Sequence, residues 1–424
     1  ASSDVAVDAL FRKAGIVRCY GREELISVAS VFMYPELKGK NIAIITHAGG
    51  PAVMLTDALS NGGLEIPHIE GPEAKELLTK LFPGSSVANP IDFLATGTPE
   101  QLGIIIDYVD KKFDNIDAMA VIFGTPGLFP LFDVYEVLDQ KMRTARKPIY
   151  PILPSTLTAR EEVEVFLSKG WINFPDEVVL GRALSKVYHT PKPVPEHIDL
   201  PDIDIKKIRS IIDSSGQGYL PPQKVQELLD AAGIHRAGEA VVKTAEEAVV
   251  AAEKLGMPVV MKVVGPVHKS DVGGVVLNVK EASQVRSEFE RMIKIKDTTA
   301  ILIQPMLSGM ELFAGAKKED KFGHMILCGM GGIFIEVLKD VSAALSPISK
   351  DEALKMIYSL KSFKILEGVR GQEGINIDMF AENLVRLSAL LDAAPEIFEM
   401  DLNPLLGSKK QVVAVDARIN IVKQ

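Results

Sequence analysis

Lys262, His268 and Asp271 fall within one short stretch, residues 259–279, which reads VVMKVVGPVHKSDVGGVVLNV. β-branched residues fill both of its ends, and Gly273-Gly274 opens the second run. That order predicts strand, glycine-bearing hairpin, strand. Such a hairpin can fold over a nucleoside triphosphate, with backbone N–H groups near phosphate oxygens and Lys262 as a positive point charge. A plain phosphate clamp has no need of a histidine. An imidazole beside a γ-phosphate is a candidate phosphoryl acceptor, because histidine can serve as a covalent nucleophile. Taken alone, the same residues also describe a solvated loop histidine and an ordinary Gly-Gly turn.

A second set of candidate ligands lies near the C-terminus. Phe398–Leu406 (FEMDLNPLL) is followed by a Gly-Ser-Lys-Lys turn and by Val412–Arg418 (VVAVDAR). The pattern predicts two strands about a turn, with Asp401 and Asn403 at alternate positions and so on one face. Asp416 falls on the return strand. Two or three hard oxygen ligands that leave room for water and phosphate suit Mg²⁺ bound to a nucleotide. Singly, Asn403-Pro404 is a turn signal and Asp416 an edge carboxylate.

With these motifs in this order, the chain resembles the ATP-grasp fold in the form found in ADP-forming acyl-CoA synthetases, relatives of succinyl-CoA synthetase. The resemblance runs over residues 210–424. It is carried by Lys262, by His268–Val275 (HKSDVGGV) and by Gln304–Leu312 (QPMLSGMEL), then by Gly329–Glu336 (GMGGIFIE), Asp401–Pro404 and Asp416. It implies that Lys262, with the loop of Asp271, Gly273 and Gly274, contacts ATP or ADP. It also implies an adenine hinge from the backbone of Gln304 to Met306, and a ribose contact at Glu311. Asn403 and Asp416 would hold Mg²⁺, and His268 would be a transiently phosphorylated histidine. Glu336, Asp340 and Arg370 receive no assigned role.

The N-terminal half carries a phosphate motif of its own. Asn41–Leu59 (NIAIITHAGGPAVMLTDAL) predicts a buried strand, a Gly-Gly turn and a helix with Pro51 in its first turn. Unpaired N–H groups there, with roughly half a positive charge from the macrodipole, form a phosphate site at Gly49 and Gly50. Every doubly wound domain has such turns. In the synthetase family, however, this turn begins a helix that steadies the phosphate on phosphohistidine, and Ala88–Phe93 (ANPIDF) matches the family as well. His47-Ala48 stands where many relatives carry Asn-Ser. His47 is therefore either a phosphate contact or a plain turn residue.

These candidates need elements to position them. From residue 41 to about 188, apolar runs at Ile42–Ile45, Ala118–Ile122 and Ile149–Leu153 alternate with helical stretches. The stretches are Pro99–Lys112, Glu161–Ser168 and Glu177–Val187. The alternation predicts a parallel sheet wrapped by helices. The fold class is therefore α/β, which the resemblance specifies as a flavodoxin-like doubly wound domain followed by an ATP-grasp domain. Thr190–Pro201 (TPKPVPEHIDLP) reads as a stiff linker. The expected division is 36–189, a linker over 190–208, and 209–424. Residues 1–35, with helices over Ser3–Ala14 and Arg22–Phe32, read as the tail of a preceding CoA-ligase domain. By resemblance, a second phosphohistidine and a CoA-binding domain lie upstream of such a segment.

Composition sets bounds. With 47% hydrophobic residues in 424, ordinary cores are affordable, and no apolar run approaches the roughly 20 residues of a membrane span. The net charge of −9 argues against general nucleic-acid binding. Cys19 and Cys328 lie far apart without metal-like spacing and read as reduced thiols of a cytoplasmic protein. Trp171 is expected to pack at a strand. The implied activity is acid plus CoA plus ATP giving acyl-CoA, ADP and phosphate, on acetate, 3-hydroxypropionate, 4-hydroxybutyrate or another short acid. The implied partner is the N-terminal CoA-binding half, on the same polypeptide or as a separate subunit of a homo- or hetero-oligomer. Two rivals remain: a regulatory or protein-acyltransferase module of this architecture, and a plain ATP-grasp carboxylate–amine ligase.

Overall fold

Alternation of side chains along strand β1 (Ile42–Thr46) shows how the first half of the chain folds. Ile42 and Ile44 enter one hydrophobic core, Ala43 and Ile45 a second one on the opposite face. All five residues of the strand are buried, as a sheet covered by helices on both faces requires. The computed structural model describes residues 3–125, 127, 130–195, 197–265, 272–332, 340–369, 371 and 373–423. It divides into two compact units, Ala14–Pro193 and Ala1–Lys13 with Val194–Gln424.

Helix α1 (Asp4–Lys13) belongs to the second unit. The first unit holds α2 (Arg22–Val31), β1, α3 (Gly49–Asn61), α4 (Pro72–Leu78), β2 (Ile91–Asp92), α5 (Pro99–Lys111) and β3 (Ala118–Ile122). It continues with α6 (Phe132–Thr144), β4 (Ile149–Ile152), α7 (Arg160–Ser168) and α8 (Glu177–His189). The parallel sheet runs β2-β1-β3-β4. Because β1 sits between strands that lie on either side of it, its C-terminal end is the kind of crevice where doubly wound folds bind ligands. Helices α2, α3 and α8 contribute Val28, Leu55, Leu59 and Leu180 to the core that receives Ile42 and Ile44. Trp171 does not lie on a strand. It stacks on Tyr34 with ring centroids 6.4 Å apart, and its indole N–H donates to Asp139 at 2.6 Å.

The second unit continues with α9 (Ile205–Asp213), β5 (Gly218–Tyr219), α10 (Pro222–Ala232), β6 (Ala240–Val242), α11 (Ala245–Leu255), β7 (Val259–Val264) and β8 (Val275–Val279). Next come α12 (Ala282–Met292), β9 (Ala300–Pro305), β10 (Met310–Glu319), β11 (Gly323–Met330), β12 (Val341–Leu345), α13 (Lys350–Tyr358) and α14 (Phe363–Glu367). The chain ends with α15 (Ile377–Ala393), β13 (Ile397–Gly407), β14 (Val412–Ala414) and β15 (Ala417–Ile421). α9 begins inside the expected 190–208 linker, because the Asp204 side chain caps it by accepting from the Lys207 N–H at 2.9 Å.

Two antiparallel sheets make up this unit. The smaller runs β6-β9-β7-β8 and lays Met261, Val263, Ile301 and Ile303 against α11 and α12. Val260 pairs with Gln304 and Lys262 with Leu302, so these four share its other face. The larger runs β12-β11-β10-β13-β15-β5, with β14 paired to β13. Its inner face, including Leu312, Ala314, Leu402 and Leu405, packs on α9, α10, α13 and α15 through Ile208, Leu228, Ile357 and Phe380.

The segment 1–35 does not form one piece. α2 packs in the first unit, whereas Ala6 and Ala9 of α1 pack on Met325 and Leu345 of β11 and β12. β12 is an edge strand, and α1 covers it. Arg12 donates to Ala343 O at 2.8 Å, and Lys13 donates to Leu345 O at 3.0 Å and to Pro347 O. Edge carbonyls met in this way are withdrawn from pairing with another chain.

Candidate functional site

The hairpin predicted around Lys262 begins and ends as strands β7 and β8, paired with Lys262 opposite Val275. The Val263 N–H donates to Gly274 O at 2.8 Å, and Arg291 donates to Gly273 O at 3.2 Å. Gly273 has φ +67, a left-handed conformation that glycine adopts without strain. His268 and Asp271 lie outside the described residues, as do Glu336 and Arg370.

Lys262 extends from the open face of the smaller sheet, and its ammonium lies 3.5 Å from Val415 O. Gln304, on the neighbouring strand, is 2% exposed. Its Nε2 donates to the same carbonyl at 3.0 Å and to Glu239 Oε2. Three distant parts of the chain thereby meet at Val415. Glu239 is a half-buried carboxylate with Arg236 3.6 Å away. Burial lifts its pKa, against the lowering pull of Gln304, Arg236 and Lys262, while the charge on Asp416 adds to the lift. Nothing in the sequence marked Glu239, a lone acid at the start of a β-branched run.

The metal candidates come together from the larger sheet. The expected return strand 412–418 is broken into β14 and β15, and Asp416 sits in the break. Pro404 has no N–H to offer the ladder there. In its place the Asn403 N–H donates to Asp416 O at 3.2 Å, and the Val415 N–H donates to Pro404 O at 3.0 Å. Asp401 stands opposite Arg418 in the register. Burial pushes the Asp401 carboxyl up to about 6, opposed by Arg418 and aided by Asp416 and Glu399. Its Oδ1 is buried without a hydrogen-bond partner. Asn403 is exposed, and Asp416 is half-buried with Oδ1 accepting from the Ala417 N–H at 3.0 Å. Among the described residues, no group of three or more His, Cys, Asp or Glu could hold a metal by itself. An amide oxygen and a carboxylate are hard donors that suit Mg²⁺ carried in with phosphates.

On the hinge side, the Met306 N–H is committed to Pro258 O at 2.9 Å. Glu311 is exposed, and the Gly331 N–H donates to its carbonyl at 2.8 Å. A Cβ at Gly332, whose φ is +59, would stand 2.1 Å from Glu311 Oε2, so the carboxylate lies over a backbone that only glycine can supply. Asp340 accepts from the Lys361 and Ser362 N–H groups at 3.0 and 2.7 Å. Burial would raise its pKa, but the bonds from Ser362 and Lys361 outweigh that and hold it below the usual carboxylate range. Its visible work is to fix the turn before α14. Between the sheets lies a cavity of about 360 Å³ whose walls include Glu239, Gln304, Leu302, Val415, Asp416 and Arg418. That volume falls in the range of small-molecule sites.

In the first unit, Gly49 and Gly50 are exposed at the start of α3, where Ala48 supplies no side-chain cap. The first N–H groups of the helix are therefore free of a side-chain cap, as an anion site needs. His47 is 8% exposed and stacks on Phe123 at 4.3 Å. Its Nδ1 lies 3.4 Å from Ile122 O, and burial lowers its pKa. It is thus a packed, neutral imidazole at neutral pH.

An ATP-grasp domain model matches residues 212–421. The chain is 32% identical over 435 residues to the acetate–CoA ligase [ADP-forming] I of Archaeoglobus fulgidus, covering 99% of this chain and 62% of that protein. It is 31% identical to the 4-hydroxybutyrate–CoA ligase [ADP-forming] of Nitrosopumilus maritimus, with 96% and 61% covered. It is 37% identical over 227 residues to the beta subunit of the acetate–CoA ligase [ADP-forming] I of Pyrococcus furiosus, covering 51% of this chain and 98% of that subunit. The chain thus spans under two thirds of the first two relatives and nearly all of the third.

Proposed function

This chain belongs to the ADP-forming acyl-CoA synthetase family, and we propose that it is the part that exchanges phosphate with ADP or ATP in such an enzyme. The reaction is acid plus CoA plus ATP giving acyl-CoA, ADP and phosphate. The observation that carries this reading is that Lys262 and Gln304 meet at the Val415 carbonyl, next to Asp416, whose own carbonyl receives the Asn403 N–H, with Gln304, Val415 and Asp416 lining one cavity.

Lys262 supplies positive charge to the nucleotide phosphates, and Gln304, Met306 and Glu311 line the base and ribose side. Asp271, Gly273 and Gly274 belong to the hairpin that covers the phosphates. Asn403 and Asp416 would hold Mg²⁺, which neutralises charge on the phosphate oxygens. His268 attacks the γ-phosphorus of ATP. The bond to the β,γ-bridging oxygen breaks, ADP leaves, and phosphohistidine remains. Gly49 and Gly50 receive the phosphate at the start of α3, in the step that forms an acyl phosphate with the acid. CoA thiolate then displaces phosphate.

The N-terminal CoA-binding half is the proposed partner, either on the same polypeptide or as a subunit, since relatives in Pyrococcus furiosus are named as alpha and beta subunits. The substrate is a short acid of the acetate or 4-hydroxybutyrate kind, the acids in the relatives' names. Incubation with radiolabelled ATP should place an acid-labile, base-stable label on the chain that vanishes in His268→Ala. Label persisting in that variant would refute the relay. A panel of acids with CoA and ATP, in the presence of the N-terminal half, reads thioester formation and identifies the substrate.

A further inference from the structure

Helix α2 is apolar on two faces, and the fold buries one of them. Val28 and Val31 enter the core that α3 and α8 share with β1, and Glu24 pairs with Lys186 of α8. Leu25, Ile26, Ala29, Phe32 and Met33 follow the spacing i, i+1, i+4, i+7 and i+8, so they line a second face. Phe32 continues the helical turn with φ −68 and ψ −10, and the Met33 N–H donates to Ser30 O. Leu25, Ile26, Phe32 and Met33 are 58, 59, 61 and 66% exposed, and Ala29 is exposed between them. A helix that is apolar all round is ordinarily a buried helix. Single exposed apolar residues need no explanation, whereas a contiguous strip of four large ones marks a contact surface.

The neighbouring helix α3 shows more of the same. Val53 and Met54, one turn beyond the phosphate site at Gly49 and Gly50, are exposed as well. Leu55 and Leu59 of α3 share one core with Val28 and Val31 of α2 and with Leu180 and Leu184 of α8. The strip on α2 therefore lies on the same side of the sheet as the helix that receives the phosphate.

The size of the strip bears on what covers it. Four side chains at this exposure offer on the order of a few hundred Å², against about 800 Å² per partner in a stable interface of standard size. A second copy resting on the strip alone would bind weakly. A partner that also meets α3 at the phosphate site supplies the area that is wanting. The Pyrococcus furiosus beta subunit is matched over 98% of its length and the alpha subunit over 27%. What those two relatives hold beyond this chain is thus almost all alpha-subunit sequence.

We infer that the face of α2 formed by Leu25, Ile26, Ala29, Phe32 and Met33 is a docking strip for the N-terminal CoA-binding half. That half covers the strip with an apolar surface of its own while it works at the start of α3. This rests on the reading of that half as the partner.

The test is oxidative footprinting of Met33, which peroxide converts to the sulfoxide where solvent reaches it. The rate is compared in this chain alone and in the chain co-expressed with the N-terminal half. Oxidation of Met33 should be at least tenfold slower in the complex. An equal rate in a complex that co-purifies overturns the docking strip and leaves the partner reading intact. Failure of the two parts to co-purify overturns both. Leu25→Gln with Phe32→Gln should weaken association with the half at least tenfold, as loss of two central apolar contacts does, and leave Mg-ADP binding unchanged. Val250→Gln, at a position 64% exposed on α11, should change neither. Association of the double variant as tight as that of the unaltered chain also overturns the proposal. So does a dimer of the chain alone that the double variant turns into a monomer, because that assigns the strip to a second copy. Circular dichroism confirms that the variants are folded, and the footprint decides the question without any variant.

Discussion

Replacing Asn403 or Asp416 by alanine tests the metal assignment where stability and binding separate. Asn403 is exposed, and the contact that ties it to the return strand is its backbone N–H to Asp416 O at 3.2 Å, which alanine retains. Its loss should therefore change stability by about 0.5 kcal/mol or less, as for most surface positions. Asp416→Ala removes the acceptor for the Ala417 N–H at 3.0 Å, a loss of about 0.5–1.5 kcal/mol. It also removes a charge that lifts the pKa of both Glu239 and Asp401, which offsets part of that loss. Binding should respond much more strongly. A displaced metal contact weakens affinity by about 10–100-fold, which is about 1.4–2.7 kcal/mol. Titrating ADP in Mg²⁺ and again in chelator separates the terms. Each variant should lose affinity in Mg²⁺ and match the unaltered chain in chelator, because the lost energy is the coupling between metal and nucleotide. Equal ADP affinity in Mg²⁺ for both variants and the unaltered chain would refute the metal site. An equal loss with and without Mg²⁺ would show that the residues touch the nucleotide directly or support the cleft.

Three further outcomes follow from the packing and the charges. In metal-free protein, the Asp401 carboxyl titrates at about 6 against an ordinary 3.8, so the folded state holds the proton more tightly than the unfolded one. Its ionisation therefore costs stability above about pH 6, and the cost fades as pH falls toward 4. Asp401→Asn should raise stability at pH 7.5 by about 1–2 kcal/mol after allowance for solvent screening, with little effect near pH 4; urea melts at the two pH values that show no difference would contradict this. Ala9 is 2% exposed against Met325 and Leu345, so Ala9→Asp should bury an unpaired charge, cost about 1–3 kcal/mol and make α1 sensitive to protease. Resistance to protease equal to that of the unaltered chain would count against α1 as a cover for the β12 edge. Phe380→Ala, at a fully buried position of α15, should cost about 3–5 kcal/mol in a denaturant melt, and a cost under 1 kcal/mol would mean that this core is not packed as described.

Much of this architecture was legible in the order of residues, because strand and helix periods are local. The β-branched runs at Ala118–Ile122 and Val259–Val264 are strands, and the helix expected after the Gly-Gly turn begins at Gly49 itself, with both glycines in its first turn. Side chains at i and i+2 share a strand face whatever the rest of the chain does. That alone put Asp401 and Asn403 on one face of β13, and Lys262 on the face opposite Met261 and Val263.

Where partners are far apart in sequence, no local period could show them. Gln304 meets Glu239 across 65 positions and Val415 across 111, so the orientation of its amide exists only in the folded chain. The break that leaves Asp416 between β14 and β15 depends on a proline of the facing strand that cannot donate to the ladder. Asp340 received no role from the sequence, and only the folded chain brings it to the N–H groups of Lys361 and Ser362. α1 read as part of a tail, and docking against β12 placed it with the second unit. The sequence determined which elements form and which way their side chains point. The tertiary structure decided which of those side chains meet, because a hydrogen bond or a buried charge is settled by the distance between groups and not by their spacing along the chain.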